Sequence, residues 1–323
     1  MAPDPENMMR LLLPMLSGVK DDYESDIVPP LPLSLDRVME GRAPKSSSRL
    51  FQLPFEILTI ILSYLSSSNL ANLALVNSDC RQWARSRQYA NVNLTYSDSS
   101  FGLIKVLQDE VLERVSSKSN GFTSRPSLGA CIRRVTIATD SRWITFRHDI
   151  KLSREFNALP REERIQRLAK LSDFYYGSYI DSIGHLLSHR KVLPNLDFLG
   201  WDDFVPLPKQ FYNELVSSNI RHLRLYRVPV EEQFEIDQLN GAWPLRSLYL
   251  ELLWDIIEDS AWRGETGPLC TSILRQCAPT LESLIWVSSP VLIDPQSFGT
   301  EMSKIPRFPN LRNLDISSGI SLF

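Results

Sequence analysis

Residues 51–83 read FQLPFEILTIILSYLSSSNLANLALVNSDCRQW, and this stretch predicts three short helices. The first begins at Pro54, since proline suits the first helical position, where its missing N–H has no partner to lose. The polar run Ser66–Asn69 interrupts the pattern before a second helix over Leu70–Val76, and a third helix carries Trp83. Three helices this small and this apolar cannot bury all of their surface among themselves, so a partner is implied.

The first helix has two apolar faces. One face follows the i, i+3, i+4, i+7 spacing of a helical stripe, and its members are Leu58, Ile61, Leu62 and Leu65. The second face consists of Ile57, Ile60 and Tyr64. One face can serve the local core, whereas the other needs apolar surface from elsewhere. Periodicity alone leaves open a helix that is buried on all sides within a large domain of its own chain.

The order of these residues resembles the F-box. The matching positions are Leu53, Pro54, Glu56, Ile57, Leu58, Ile61, Leu62, Tyr64, Leu65, Leu70, Leu73, Leu75 and Val76. The chain departs from the family pattern at Ser66, where proline is common, at Asn69, where aspartate is common, and at Cys80, where an aromatic residue is frequent. The resemblance covers a small part of the chain, but it is a gapped pattern of a dozen positions.

This resemblance implies a substrate-recognition subunit of an SCF-type ubiquitin ligase. F-box helices dock on a Skp-family adaptor, which hangs from a cullin scaffold that carries a RING subunit, and the rest of the chain captures a protein substrate. The chain would perform no chemistry itself and would act by raising local substrate concentration. The residues expected to bind the adaptor are Leu53, Pro54, Ile57, Leu58, Ile61, Leu62, Leu65, Leu70, Leu73, Val76 and Trp83.

Composition fits an ordinary globular protein that works inside the cell. A length of 323 residues suggests about two domains, and a net charge of −3 gives no nucleic-acid signal. Four cysteines, at neither disulfide-framework nor zinc spacing, are expected to be reduced and buried; they are Cys80, Cys131, Cys270 and Cys277. With no apolar run long enough to span a membrane, we expect a cytoplasmic or nuclear protein without cofactor, metal or membrane contact.

A six-residue motif, apolar-x-x-apolar-x-apolar, recurs after the F-box-like segment. Its copies are IRRVTI at 132–137, LPNLDF at 193–198, IRHLRL at 220–225, LRSLYL at 245–250, LESLIW at 281–286 and LRNLDI at 311–316. The starts lie 61, 27, 25, 36 and 30 residues apart, near the period of leucine-rich repeats. The pattern resembles the irregular repeats that follow an F-box in large fungal families. An ordinary α/β domain with parallel strands is the alternative.

The segments that precede several motif copies read as short helices. Before the copies at 193, 220 and 281, apolar residues recur at helical spacing; they are Ile180, Ile183 and Leu187, then Phe211 and Leu215, then Leu269, Ile273 and Cys277. The expected fold class is therefore α+β, with a three-helix F-box followed by an irregular α/β, leucine-rich-repeat-like solenoid.

Three regions are expected along the chain. Residues 1–48 are expected to form a mostly disordered arm, in which a short docking helix at 6–16 is possible, residues 49–96 the F-box domain, and residues 97–323 the repeat domain. The last motif copy ends only seven residues before Phe323, so we expect the chain to end in the middle of a repeat. We expect either a truncated product or self-association through an open strand edge.

Residues that alternate with the apolar ones should point out of the core. In the copy at 193 these include Asn195 and Leu199. The outward residues chosen as candidates for substrate binding are Asp197, His222, Arg224, Tyr226, Tyr249 and Glu251. This mixture of basic, acidic and aromatic groups suits a protein ligand better than a nucleic acid, and ordinary solvated surface is the alternative.

Signals of catalysis or metal binding are weak. His185 and His189 have a metal-ligand spacing but lack a neighbouring third ligand in the sequence, so a packing pair is expected. Asp140, Ser141 and His148 are close in sequence without the motif of a nucleophile elbow. Two functional classes remain: the ligase subunit, and a non-catalytic leucine-rich-repeat scaffold or adaptor-binding protein that acts outside a ubiquitin ligase.

Overall fold

The first described part of the chain is helical, and in the rest helices alternate with parallel strands. The computed structural model describes residues 35–120, 126–139, 161–203, 207–230, 234–237, 243–254, 268–288 and 307–318. The first described elements are α1 (Leu35–Val38), a 3-10 turn (Arg49–Gln52), α2 (Phe55–Ser63), α3 (Ser67–Val76) and α4 (Ser78–Gln88). There follow β1 (Asn91–Leu94), α5 (Asp98–Asn120), β2 (Arg134–Ile137), α6 (Arg161–Ser188), β3 (Phe198–Trp201), α7 (Lys209–Val216), β4 (His222–Val230), β5 (Ser247–Trp254), α8 (Pro268–Cys277), β6 (Ser283–Ser288) and β7 (Asn313–Ser318).

Polar caps fix where the first helices start. Helix α2 begins at Phe55, one residue later than predicted, and Pro54 is the residue before it. The carbonyl oxygen of Pro54 accepts from the N–H of Ile57 at 3.0 Å. The Ser66 hydroxyl accepts from the N–H of Asn69 at 3.3 Å and caps α3, which begins at Ser67. The predicted break over Ser66–Asn69 is therefore shorter, because Ser67, Ser68 and Asn69 are helical. Asn77 caps α4 in the same way, and such caps satisfy donors that have no partner within the helix.

The segment before the first helices packs against them. Val38 and Met39 are buried, and the side-chain amide of Gln82 on α4 donates to the carbonyl oxygens of Val38 at 3.1 Å and Ser127 at 2.6 Å. The Ser46 N–H donates to the Asp79 carboxylate at 2.7 Å. Within the arm that was expected to be mostly disordered, Val38, Met39 and Ser46 therefore make buried or polar contacts with the rest of the described chain. The possible docking helix at 6–16 lies outside the described residues.

The strands within the described residues form one parallel sheet of seven, in the order β1 to β7. Each strand pairs with the next one along the chain, as in Leu223↔Leu248 and Leu248↔Leu284. Parallel neighbours need a crossover, which α5, α6, α7 and α8 provide between four of the strand pairs. The predicted alternation of helices and parallel strands is confirmed.

One face of the sheet is buried against the helices. Its apolar strand residues and the predicted helix residues, such as Ile183, Phe211 and Ile273, belong to a single core cluster. The opposite face carries the partly exposed residues that alternate with these, such as Arg224 and Tyr249. Among the described residues, the sheet therefore has one covered face and one open face.

The register of β3 corrects the predicted motif. Val135 of β2 pairs with Leu199, and Leu199 pairs with Leu223, so the motif copy is LDFLGW at 196–201 rather than LPNLDF at 193–198. Leu199 is buried and was wrongly expected to point outward. Both six-residue frames satisfy the apolar pattern because leucines recur three residues apart, and only pairing with the neighbouring strands distinguishes them.

The sheet also begins earlier than predicted. Val92 pairs with Val135 and Leu94 with Ile137, so YANVNL at 89–94 is a further copy of the motif. Residues 91–94 belong to the sheet and not to the helical region, although the predicted F-box domain extended to residue 96. The helices and the sheet thus meet near Ala90, whose carbonyl oxygen accepts from the N–H of Arg134 at 3.0 Å.

Candidate protein-interaction surfaces

The two apolar faces of α2 have opposite environments. Leu58 and Leu62 are buried in a small cluster with Leu70, Trp83 and Ala84. On the other face, Ile57 is 44% exposed, Ile60 51% and Tyr64 85%. The prediction that one face serves the local core and the other lacks a partner within the three helices is confirmed.

Exposed apolar residues also lie at the C-terminal end of α3. Leu75 is 78% exposed and Val76 68%, and Leu53, just before α2, is exposed as well. We call these six residues the helical patch: Leu53, Ile57, Ile60, Tyr64, Leu75 and Val76. Large apolar side chains in contact with water are characteristic of surfaces that bind another protein.

The structure divides the residues predicted to bind the adaptor into three groups. The exposed ones are Leu53, Pro54, Ile57 and Val76. The partly exposed ones are Ile61, Leu65 and Leu73, and the buried ones are Leu58, Leu62, Leu70 and Trp83. The buried side chains hold the three helices together and have almost no surface for a partner. Ile60, Tyr64 and Leu75 were not predicted as contacts, although the sequence pattern already placed Ile60 and Tyr64 on the outer face.

The open face of the sheet brings four of the six candidate substrate residues together. The rings of Tyr226 and Tyr249 lie 6.2 Å apart between their centroids, and the Arg224 guanidinium lies 5.0 Å from the Tyr226 ring. The Tyr249 hydroxyl donates to the Glu251 carboxylate at 2.9 Å. Arg224 also pairs with Asp202, which was not predicted, at 3.4 Å.

A β-bulge adds a further arginine to this group. Leu225 pairs with Leu250 and Val228 with Leu252, so Tyr226 and Arg227 together stand opposite one residue, Glu251. Arg227 has a φ of 53° and its Nε donates to Glu251 at 3.1 Å. Strict alternation along the strand would place Arg227 in the core. The sequence signal that could have found it is the change from odd to even apolar positions between Leu225 and Val228.

The other two candidates, Asp197 and His222, lie close together beside Arg221. His222 Nε2 lies 3.7 Å from the Asp197 carboxylate, and Arg221 Nε lies 3.8 Å from the same group. Burial lowers the pKa of His222, and the nearby charges of Arg134, Arg246 and Arg221 lower it further, although Asp197 opposes them. His222 is therefore less readily protonated than a free histidine side chain.

A buried polar network at the ends of β2 and β3 was not predicted. The Tyr176 hydroxyl donates to the Asp203 carboxylate, and the Thr139 N–H donates to it at 3.0 Å. Burial raises the pKa of Asp203 despite these hydrogen bonds. The three residues are far apart in sequence, so no local pattern indicates the network.

Among the residues that the structure describes there is no candidate metal site and no candidate membrane-spanning helix. His185 and His189 pack together with ring centroids 4.4 Å apart, and across the described residues no three His, Cys, Asp or Glu side chains are grouped to hold a metal ion. In that same part, no helix combines the length and apolar character needed to span a bilayer.

Cys80, Cys131, Cys270 and Cys277 are free and buried, which confirms their predicted state.

Comparison with known proteins identifies the helical region. The F-box domain family matches residues 50–89, which include α2, α3 and α4. No curated protein and no solved structure matches the chain. F-box domains bind Skp-type adaptors, so the helical patch lies within a domain whose family role is to bind that adaptor. The chain thus contains an F-box domain followed by a parallel sheet.

Proposed function

We propose that this protein is the substrate-recognition subunit of an SCF-type cullin–RING ubiquitin ligase. The observation that carries the proposal is the exposed face of α2, with Ile57, Ile60 and Tyr64, inside the segment that matches the F-box domain. The other face of α2 completes a small core of its own. The helical patch is therefore available to an adaptor without any rearrangement of the helices.

The proposed role is non-catalytic. The adaptor connects the chain to the cullin scaffold and its RING subunit, and the sheet holds a protein substrate near the charged conjugating enzyme. Such tethering raises the effective concentration of substrate lysines and lets the ligase modify them without chemical groups from this chain. We place this activity in the cytoplasm, the nucleus or both.

We further propose that the sheet is an irregular leucine-rich-repeat-like solenoid of the kind found in fungal F-box families. Its support is the consecutive parallel order of β1 to β7 and the equivalent register of the motif from strand to strand. Most parallel sheets are covered by helices on both faces. A parallel sheet with helices on one face and an open opposite face is instead typical of a solenoid, whose stacked repeats form an extended concave surface. The open face is then the substrate surface, with Asp197, His222, Arg224, Tyr226, Tyr249 and Glu251 as its candidates.

A pull-down with the full-length tagged chain tests the ligase proposal. The bound fraction is probed for the Skp-type adaptor and for the cullin, with the wild-type chain and an Ile57→Ser, Ile60→Ser variant in parallel. We expect adaptor and cullin with the wild type and neither with the variant. Adaptor without cullin would support a protein that works outside a ubiquitin ligase, and recovery of neither would refute the ligase role.

A further inference from the structure

A segment that precedes the F-box match is fastened to the rest of the described chain at both of its ends. At its start, the Glu40 carboxylate forms an ion pair with Arg114 of α5. At its end, the Ser46 N–H donates to the Asp79 carboxylate of α4 at 2.7 Å. We call residues 40–48 the strap. Because different elements hold its two ends, the strap connects the F-box helices to α5, which covers the sheet.

The strap carries three consecutive serines among basic residues. The run Ser46–Ser48 lies between Lys45 and Arg49, and Arg42 stands four residues before its first serine. Residues 42–48 form neither helix nor strand, the first serine is partly exposed, and the other two are exposed. Protein kinases modify serines in accessible, irregular segments and select them partly by the charges nearby. The run therefore suits a kinase that prefers basic residues around its acceptor.

Ser46 differs from the other two serines because it is bonded to a buried carboxylate. Asp79 is only 2% exposed, and the Ser46 hydroxyl already accepts from the N–H of Ser48 at 3.3 Å. A phosphate on Ser46 carries about two negative charges, which would repel the carboxylate that now binds the backbone of the same residue. Lys45 and Arg49 are exposed, so solvent and salt screen their opposing charges. An ordinary solvated polar segment is the alternative.

The end of the strap leads directly into the helical patch. The Ser48 hydroxyl caps the 3-10 turn Arg49–Gln52, and Leu53 of the helical patch follows this turn. Release of the strap at Ser46 would therefore loosen the turn that positions Leu53. The same contact that holds the strap on α4 thus supports one edge of the surface assigned to the adaptor.

We propose that Ser46 is a phosphorylation site for a kinase that prefers basic residues, and that its phosphate releases the strap from α4 and weakens adaptor binding. The γ-phosphoryl group of ATP moves to Ser46 Oγ. The new O–P bond forms as the bond to the β–γ bridging oxygen breaks, ADP leaves, and the hydroxyl proton passes to the base of the kinase. This inference rests on the proposed function, because the regulated surface is the adaptor site.

Phosphorylation of the full-length chain, followed by mass spectrometry, tests the site. The chain is incubated with ATP and the catalytic subunit of a cAMP-dependent protein kinase. We expect phosphate on Ser46, at a rate that falls at least tenfold in Lys45→Glu and stays unchanged in Lys105→Glu, at an exposed lysine of α5. Phosphate on the neighbouring serines alone, or none at all, would overturn the assignment.

Hydrogen exchange separates release of the strap from general unfolding. In the phosphorylated chain, peptides from the strap should exchange at least tenfold faster, while peptides from α8 keep their rate. Asp79→Asn retains an acceptor oxygen for the Ser46 N–H and removes the negative charge, so its strap should not respond to phosphorylation. Equal acceleration in the wild type and Asp79→Asn would refute release by charge repulsion.

Calorimetric titration with the Skp-type adaptor measures the consequence for binding. Phosphorylation should lower the affinity of the wild type at least threefold, and the same kinase treatment should leave Ser46→Ala unchanged. If the unmodified chain binds no adaptor, the proposed function itself fails. If the unmodified chain binds and the phosphorylated chain binds equally well, the proposed function stands and the proposed regulation is wrong.

Discussion

Ile57 and Leu58 are consecutive residues of α2, yet 44% of Ile57 and only 2% of Leu58 is exposed. Adjacent helical residues point about 100° apart, so one can face the local core and the other the solvent. Both residues match the F-box pattern, and the sequence resemblance assigned both to the adaptor interface. The structure assigns them different roles: Leu58 holds the helices together, and Ile57 is available to a partner.

Replacing the exposed isoleucines should abolish adaptor binding without unfolding the protein. Substitutions at exposed positions usually change the free energy of unfolding by no more than about 0.5 kcal/mol, whereas apolar anchors dominate the affinity of such interfaces. We expect Ile57→Ser with Ile60→Ser to reduce adaptor affinity at least tenfold by calorimetric titration. Val106→Ser, at a similarly exposed residue of α5, is the control. Equal losses in both variants would show that the effect is not specific to the patch.

Leu58→Ala should instead destabilise the helical region. Removing a buried leucine side chain costs about 2–5 kcal/mol, through lost burial and the cavity that remains. Urea unfolding followed by circular dichroism should show this loss for Leu58→Ala and little change for Ile57→Ala. Similar unfolding midpoints for the two variants would contradict the buried position of Leu58.

Gln82→Leu should loosen the contact between α4, the N-terminal segment and the turn before β2. The Gln82 amide donates to the Val38 and Ser127 carbonyl oxygens, and buried groups left without a partner cost about 1–3 kcal/mol. We expect lower stability and faster protease cleavage between residues 39 and 48. Gln88→Leu, at an exposed position of the same helix, should cleave at the wild-type rate. Unchanged cleavage in Gln82→Leu would show that the amide does not hold the segment.

The stability of the protein should depend on pH through Asp203. Burial raises the pKa of this carboxyl group above its ordinary value, so the folded state binds a proton more tightly than the unfolded state does. Stability from this group is therefore greatest at low pH and falls as the pH rises through the raised pKa. Relative to Asp203→Asn, the wild type should lose stability between pH 4 and pH 7. An Asp109→Asn control is at an exposed site. The prediction would be contradicted if the stability of the wild type relative to Asp203→Asn increased as the pH rises.

The buried cysteines should be inert in the folded protein. Burial raises the pKa of Cys131, Cys270 and Cys277 to about 12, and the thiolate is the reactive form. At pH 8 we expect a thiol reagent such as dithionitrobenzoate to react with these three residues only after denaturant is added. Mass spectrometry after a short reaction identifies the labelled sites. Rapid labelling of Cys270 in the native protein would contradict its burial on α8.

Local periodicity predicted more of the fold than of the candidate sites. The two faces of α2 and the helices that precede strands depend on residues close in sequence, and these predictions were confirmed. The frame of β3 could not be decided locally, because Leu193 and Leu196 both start an acceptable motif and only the pairing of Leu199 with Val135 selects one. The position of Arg227 depends on a bulge, which simple alternation cannot represent. Leu314 and Ile316 of β7 are exposed, and self-association through that strand remains a prediction.

Hydroxyl-radical footprinting of the full-length chain, with and without a saturating Skp-type adaptor, tests the central claim most directly. Tyr64 is 85% exposed in the helical patch, and Phe174 on α6 is similarly exposed outside the F-box domain, so each sample contains its own control. We predict that the adaptor strongly reduces oxidation of Tyr64 and Ile57 and leaves Phe174 and Tyr226 unchanged. Unchanged oxidation of Tyr64 at saturation, or protection of Phe174 instead, would contradict the assignment of the helical patch as the adaptor-binding surface.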